Sequence, residues 1–261
     1  MTILDKIVVD KRKEVALRAG LISTKQLERS DLFERETFSL VDRIKASNNG
    51  IIAEHKRRSP SKSIINQGLD VTRVAAGYEA AGVSGMSVLT DTKYFGGALD
   101  DLILARASCN LPLLRKEFII DSYQILEAKA YGADVILLIA AILTEKELRA
   151  YSSLAQQLGL EVLLEVHDQE ELSKSLLTSV NLIGVNNRNL KTFEVSTEVS
   201  KELSKQIPND FVKVSESGIS HTDTIKELKN FGYQGFLIGE NFMKTNDPGS
   251  AASHFVKDLM T

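Results

Sequence analysis

The chain has 261 residues, enough for one large domain, and its 43% hydrophobic and 26% charged residues exclude a disordered or membrane-embedded composition. Its net charge of −3 gives no global attraction to nucleic acid, so affinity for anions must come from a local cluster. One cysteine, Cys109, and four histidines without metal-type spacing exclude an intrachain disulfide and a zinc motif.

Residues 1–49 stand apart from the rest of the chain. Leu4, Ile7, Val8, Lys11 and Val15 predict an amphipathic helix with a basic outer face. It packs either as an extra helix over the body or as a lid over one mouth, and periodicity alone does not separate the two. The stretch lacks the apolar core and small-residue cleavage site of a signal peptide, and no apolar run reaches the roughly 18 residues of a membrane span. A cytoplasmic protein is expected.

From residue 50 onward a short aliphatic run ends in polar residues and a helix-period segment comes next, repeatedly. The predicted strands are Ile51–Lys56, Met86–Thr90, Leu113–Phe118, Val135–Ala140, Glu161–Val166, Leu182–Asn186, Phe211–Ser215 and Phe236–Gly239. Several are almost wholly apolar, as in parallel strands buried on both faces. The clearest helix runs from about Glu145 to Leu158, opened by a capping box at Thr144–Glu147. Asp168–Glu171 and Ser220–Asp223 read as further helix starts. Eight alternations in this length favour a closed (β/α)8 TIM barrel over residues 50–261, in one domain with the N-terminal helical extension. The glycine-rich first turn of a dinucleotide fold is absent.

Functional residues of such barrels lie at the C-terminal strand ends. In order, those ends carry Glu54 and Lys56, Asp91, Lys116, an apolar Leu138–Ile139, Glu165, Asn186 and Arg188, Glu216–Ser217–Gly218, and Gly239–Glu240. Strand side chains alternate, so Glu54 shares a face with Lys56 and Asn186 with Arg188. If those faces point inward, Glu54, Lys56, Lys116, Glu165, Asn186, Arg188 and Glu216 meet at one mouth, either as an internal ion-pair plug or as a site for an anionic ligand. Ser217, Gly218, Gly239 and the Glu240 backbone N–H occupy the positions after strands 7 and 8 where barrels often bind phosphate, although glycine is common at such turns. Ser59–Pro60 stiffens the first loop. Tyr94, Phe95 and Phe118 either line a pocket for an aromatic ring or pack ordinarily. Cys109 reads as a buried apolar residue, and His55, His167, His221 and His254 as structural or surface groups.

With these residues in place the chain closely resembles the indole-3-glycerol phosphate synthase family. The likeness rests on Ile52-Ala-Glu-His-Lys-Arg-Arg-Ser-Pro-Ser61, Leu114-Arg-Lys-Glu-Phe118, Leu163-Leu-Glu-Val-His-Asp168, Ile183-Gly-Val-Asn-Asn-Arg188 and Val214-Ser-Glu-Ser-Gly-Ile219, and extends into the N-terminal segment. It implies a lyase that closes the indole ring of 1-(2-carboxyphenylamino)-1-deoxy-D-ribulose 5-phosphate, releasing CO2 and water, without metal or organic cofactor. It also implies that the extension covers the active-site mouth.

By that resemblance Lys116 is the general acid, its pKa lowered by nearby cations or its proton transfer strongly driven. Glu165 is the main acid/base partner near the C2 hydroxyl. Lys56 holds the substrate carboxylate, and Glu54 orients Lys56 or acts as base. Asn186 and Glu216 bond substrate hydroxyls and fix the lysines, Arg188 steadies ligand anions, and Ser217, Gly218 and Gly239 bind phosphate. Glu117 and Asn189 stand where the family often has aspartate, and His55 where it has an aromatic or aliphatic residue. No obligate protein, nucleic-acid or membrane partner is expected, a monomer is favoured, and no fused isomerase is expected after the barrel. Rival readings are another phosphosugar barrel enzyme or a non-catalytic phosphosugar binder; Cys109 precedes a predicted strand, the wrong end for the isomerase chemistry of the first.

Overall fold

The structure is a computed structural model that describes residues 2–177, 179–190 and 192–261. Among these, eight parallel strands close into a barrel in chain order. They are β1 (Ile51–His55), β2 (Gly85–Leu89), β3 (Leu113–Lys116), β4 (Val135–Ile139), β5 (Glu161–Val166), β6 (Leu182–Asn186), β7 (Val212–Glu216) and β8 (Gly235–Ile238). The expected TIM barrel is the observed fold, and every strand end falls within two residues of its predicted place. The predicted tips ran long where local turns intervene: Glu117 turns its carboxylate back onto the N–H of Phe118, and Ala140 opens a 3-10 turn.

Alternation sorts the strand side chains into two cores. Ile52, Leu114, Val135, Leu137, Leu163, Leu182, Val212, Val214 and Leu237 fill the barrel interior. Ile51, Ala53, Val88, Ile136, Leu164, Ile183 and Phe236 face the surrounding helices. The register that places Ile52 and Leu114 inward also places Glu54 and Lys116 inward, one step nearer the C-terminal mouth.

The helices begin largely where their caps predict. Thr144 and Glu147 form the reciprocal box that opens Glu145–Gln157, and Asp168 accepts from the Glu171 N–H at the start of Gln169–Ser173. Thr222–Lys229 starts as expected, but its flanking His221 makes no side-chain cap.

The extension serves both ends of the barrel. Helices α1 (Ile3–Leu21), α2 (Thr24–Leu27) and α3 (Leu40–Ala46) precede β1. α3 plugs the N-terminal end: Leu40 and Ile44 join the interior core, over Gly85 and Gly235, where a Cβ would sit 2.6 Å from Leu40 and 3.3 Å from Ile44. Glu161 holds its first turn, accepting from Ser39 Oγ at 2.5 Å and the Leu40 and Val41 N–H groups at 2.8 and 3.1 Å.

α1 lies at the opposite end. Its basic outer face has one exception: Lys11 falls on the buried stripe, 1% exposed, with Nζ 2.8, 2.9 and 3.1 Å from Glu14, Asp91 and Glu117. Burial opposes the charge on Lys11, but Glu117 and Asp91 outweigh it and raise its pKa above the usual lysine value. Further along, Arg18 pairs with Glu127 at 2.7 Å, and Arg115 joins Glu127 to Glu117 at 2.7 and 3.9 Å. A buried ionic chain thus ties two points of α1 to the outer face of β3.

Replacing Lys11 by Met leaves Asp91 and Glu117 buried beside an apolar side chain. Breaking a buried pair in this way costs about 3–5 kcal/mol. For a chain of this size that is a fall of roughly 6–20 °C in Tm. Thermal unfolding of Lys11→Met against wild type checks it, and an unchanged Tm refutes the anchoring role.

Candidate active site

The C-terminal mouth opens into a cavity of about 340 Å³, within the range of small-molecule sites. Fifteen of the residues singled out from the sequence line it: Glu54, Lys56, Ser59, Pro60, Phe95, Lys116, Phe118, Glu165, Asn186, Arg188, Glu216, Ser217, Gly218, Gly239 and Glu240.

Lys116 rises from the end of β3 into the centre. Its Nζ lies 3.1 Å from Glu165 Oε2 and closer still to Glu216 Oε2. The side chain is 14% exposed, and burial works against its charge. Glu216, Glu165 and Glu54 outweigh that penalty and raise its pKa. The expectation that nearby cations lower the Lys116 pKa is therefore corrected: its immediate neighbours are carboxylates.

Two carboxylates compete for this one ammonium, and their surroundings separate them. Burial disfavours charge on Glu165, yet Lys116, His167 and the Asn186 amide, 3.2 Å from Oε1, bring its carboxyl down to about 2. Glu216 is buried as deeply, and among the described residues its Oε1 has no hydrogen-bond partner. Burial and the charges of Glu165 and Glu54 push its carboxyl up to about 7, against the pull of Lys116. That oxygen sits over Gly184, where a Cβ would approach to 2.3 Å.

At the end of β1, Lys56 Nζ meets Glu54 Oε1 at 2.7 Å, with Lys56 20% and Glu54 4% exposed at the side chain. Gly239 makes room for this pair, since a Cβ there would lie 2.5 Å from Glu54 Oε1. Arg188 is half-buried; Asn186 Oδ1 accepts from its N–H at 3.0 Å, and Nη1 donates to the Phe193 carbonyl at 3.1 Å.

The cavity's other end is backbone-lined. Ser217 and Gly218 have φ of 69° and 77°, a conformation costly for serine and common at ligand-binding turns. Gly239 precedes the short helix Glu240–Met243, whose first N–H groups have no intrahelical acceptor. The Glu240 carboxylate turns to Lys62 at 2.6 Å, relieving the conflict of an acid beside an anion site. Ser59 and Lys62 exchange backbone bonds at 2.8 and 3.0 Å, closing the first loop into a tight turn.

An apolar wall faces these charges. The Phe95 and Phe118 rings lie 5.9 Å apart at 42°. Asp91 accepts from the Tyr94 and Phe95 N–H groups and so sets the Phe95 turn, while Tyr94 itself bonds Asp10 of α1 at 2.5 Å instead of lining the cavity. Ile3, Leu4 and Ile7 of α1 complete the wall. α1 is therefore a wall of the mouth, which favours the covering reading over a helix packed elsewhere.

Sequence reasoning missed several residues. Leu190 and Phe193, in the loop after β6, line the cavity with Ser220, Asn241 and Lys244. They lie beyond strand tips, where alternation no longer assigns a direction. His167 was read as structural or surface but stands beside Glu165, its Nε2 3.4 Å from Oε1. Its place two residues after Glu165 was the signal. His55 is buried on the outer side of β1, where burial first, and the Arg57 charge, lower its pKa to about 4. His221 and His254 are exposed, and Cys109 is buried before β3, at the other end of the barrel. Among the described residues no helix is long and apolar enough to cross a membrane.

Residues 4–255 match the family model described as indole-3-glycerol phosphate synthase. A protein of that name from Bacteroides thetaiotaomicron is 46% identical over 257 residues, covering 98% of each chain. Another from Bordetella pertussis is 42% identical, over 97% of this chain and 98% of its own. Among solved structures, a thiamine phosphate pyrophosphorylase from Pyrococcus furiosus superposes with a TM-score of 0.61 at 13% identity, covering 85% of this chain and 98% of that one, a likeness of fold alone. With the family model spanning residues 4–255 and these relatives matching nearly its whole length, the chain belongs to the indole-3-glycerol phosphate synthase family.

Proposed function

We propose that this cavity performs the family's reaction, in which the carboxyphenylamino-deoxyribulose phosphate closes to indole-3-glycerol phosphate with loss of CO2 and water, a step of tryptophan biosynthesis. The observation that carries the residue assignment is Lys116 Nζ, held between Glu165 and Glu216 in a cavity that Phe95 and Phe118 also line.

The substrate joins an aromatic acid to a phosphorylated ketose. Its ring lies against Phe95, Phe118 and the α1 residues, its carboxylate meets Lys56, and its phosphate meets the N–H groups around Ser217, Gly218 and Gly239. Arg188 steadies the anions. The ring carbon that bears the carboxylate attacks the C2 carbonyl, and negative charge grows on the carbonyl oxygen. Lys116 delivers a proton there. Its carboxylate neighbours keep it fully protonated, so the drive comes from the strongly basic developing alkoxide and not from a weakened N–H bond. The C–CO2 bond then breaks, and its electrons restore the aromatic ring.

Dehydration needs a base for the proton that is lost and an acid for the departing C2 hydroxyl. Glu165, ionised at rest, takes the proton that is lost and returns it to the departing C2 hydroxyl, which leaves as water; Asn186 fixes its orientation, and Glu54 orients Lys56 or serves as the base instead. Glu216, whose carboxyl lies near 7, is suited to reload Lys116 between steps. Holding a flexible pentulose in attack geometry contributes as much as the proton transfers. The extension and barrel act as one domain, the site is complete within a single chain, and a cytoplasmic monomer is the working form.

Mixing purified protein with the substrate and following indole absorbance or fluorescence tests the activity directly. The chain has no Trp, so background emission is low. Product formation supports the reading, and none at high enzyme concentration overturns it. Lys116→Met is expected to retain the fold and much of the substrate affinity while nearly abolishing turnover; half the wild-type kcat would remove Lys116 from the chemistry. Glu165→Gln is expected to lower kcat far more than it raises KM, and a change confined to KM would make Glu165 a binding group only.

A further inference from the structure

His167 comes just after β5 and stands beside Glu165, outside the set of residues that line the cavity. Its side chain is 12% exposed. Its backbone N–H donates to Glu171 Oε2 at 2.8 Å, and its Nδ1 lies 3.1 Å from the same oxygen. Its Nε2 is buried, 3.4 Å from Glu165 Oε1, and has no hydrogen-bond partner among the described residues. That carboxylate already takes the Asn186 amide on Oε1 at 3.2 Å and Lys116 on Oε2 at 3.1 Å.

The geometry restricts the imidazole's charge state. A neutral ring carries one N–H and one lone pair. With the proton on Nδ1, the Nε2 lone pair faces Glu165; with it on Nε2, the Nδ1 lone pair faces Glu171. Only the imidazolium presents a proton to both. The charged groups facing the ring are Glu171 from the helix after β5, Glu165 from β5 and Glu216 from β7, all acidic. Burial opposes a charged ring, but these three outweigh it and raise the His167 pKa.

We propose that His167 is a positioning residue for Glu165: braced by Glu171, the imidazolium fixes the orientation and the charge of the acid/base carboxylate that faces Lys116. The proposal rests on the reading of Glu165 as the group that exchanges a proton with substrate. It gives Glu165 a partner on each side, Lys116 in the cavity and His167 in the wall. The wall partner sets how readily the carboxylate accepts a proton.

A positive charge beside a carboxylate lowers its pKa, so removing the imidazole lets the Glu165 pKa rise. In His167→Ala the acid limb of kcat against pH moves to higher pH by about one unit, and kcat at neutral pH falls roughly tenfold with KM within about twofold. His167→Gln offers an uncharged N–H donor near the Nε2 position; it recovers most of kcat while its acid limb stays displaced. Glu171→Gln weakens the brace and moves both quantities in the same direction, by less.

Steady-state kinetics from acid to alkaline pH on wild type and the three variants decides the matter. Wild-type kcat and an unmoved acid limb in both His167→Ala and Glu171→Gln overturn the proposal. Loss of activity in all three variants without a shift in the limb also overturns it, because that is the pattern of a merely structural residue. If circular dichroism shows His167→Ala unfolded, the Gln variants carry the same comparison. A wild-type protein that makes no indole product refutes the functional reading itself, whereas an active wild type matched by its variants refutes only the role of His167.

Discussion

Lys116 brings one ammonium into a space lined by three carboxylates, Glu54, Glu165 and Glu216, each less than 5% exposed. An unpaired charge at that depth is prohibitive, and a paired one is tolerated only where geometry and further hydrogen bonds hold it. Asn186 bonds Glu165, Lys56 takes Glu54, and Lys116 is left between Glu165 and Glu216. Glu216 retains a bare oxygen above Gly184, so the cluster has an internal gradient of proton affinity instead of three equivalent acids. That gradient suits a reaction that gives up a proton at one stage and recovers it at another.

Such a cluster needs a dry, rigid floor. The interior below it is aliphatic, and α3 seals the far end with Leu40 and Ile44. The charged groups therefore stand between an apolar floor and a mouth that Ile3, Leu4 and Ile7 of α1 help to line. The ionic chain from Lys11 through Glu117, Arg115 and Glu127 to Arg18 fastens α1 to the strand that carries Lys116. Glu117 also bonds the N–H of Phe118, so one side chain serves the helix anchor and the cavity wall together. The segment before β1 is as much part of the site's construction as the barrel is.

The legible part of the site owed its clarity to period-two alternation. Ile52, Leu114, Leu163, Leu182 and Val214 point into the core for apolar reasons, and alternation carries Glu54, Lys116, Glu165, Asn186 and Glu216 to the same side. The glycines at 218 and 239 are legible as turn residues after strands 7 and 8, and the fold sets the Val195 and Glu54 side chains over them. Leu190, Phe193 and Lys244 escaped notice because they lie in loops, where no period assigns a direction. His167 escaped because a histidine's role depends on which carboxylates surround it. Lys11 was placed on the correct stripe, but the stripe does not reveal that its ammonium is sunk between two acids.

By itself the sequence determined the strand–helix alternation, the inward faces and the set of polar groups at the strand ends, since each arises from local periodicity and chain chemistry. Tertiary structure decided which of those groups pair, which carboxylate holds its proton, and what the extension covers. Lys116 and Glu216 are 100 residues apart, and Ser39 and Glu161 are 122 apart. Proximity of that kind arises only when barrel closure sets the strand register, and charge states depend on the distances and burial that closure creates.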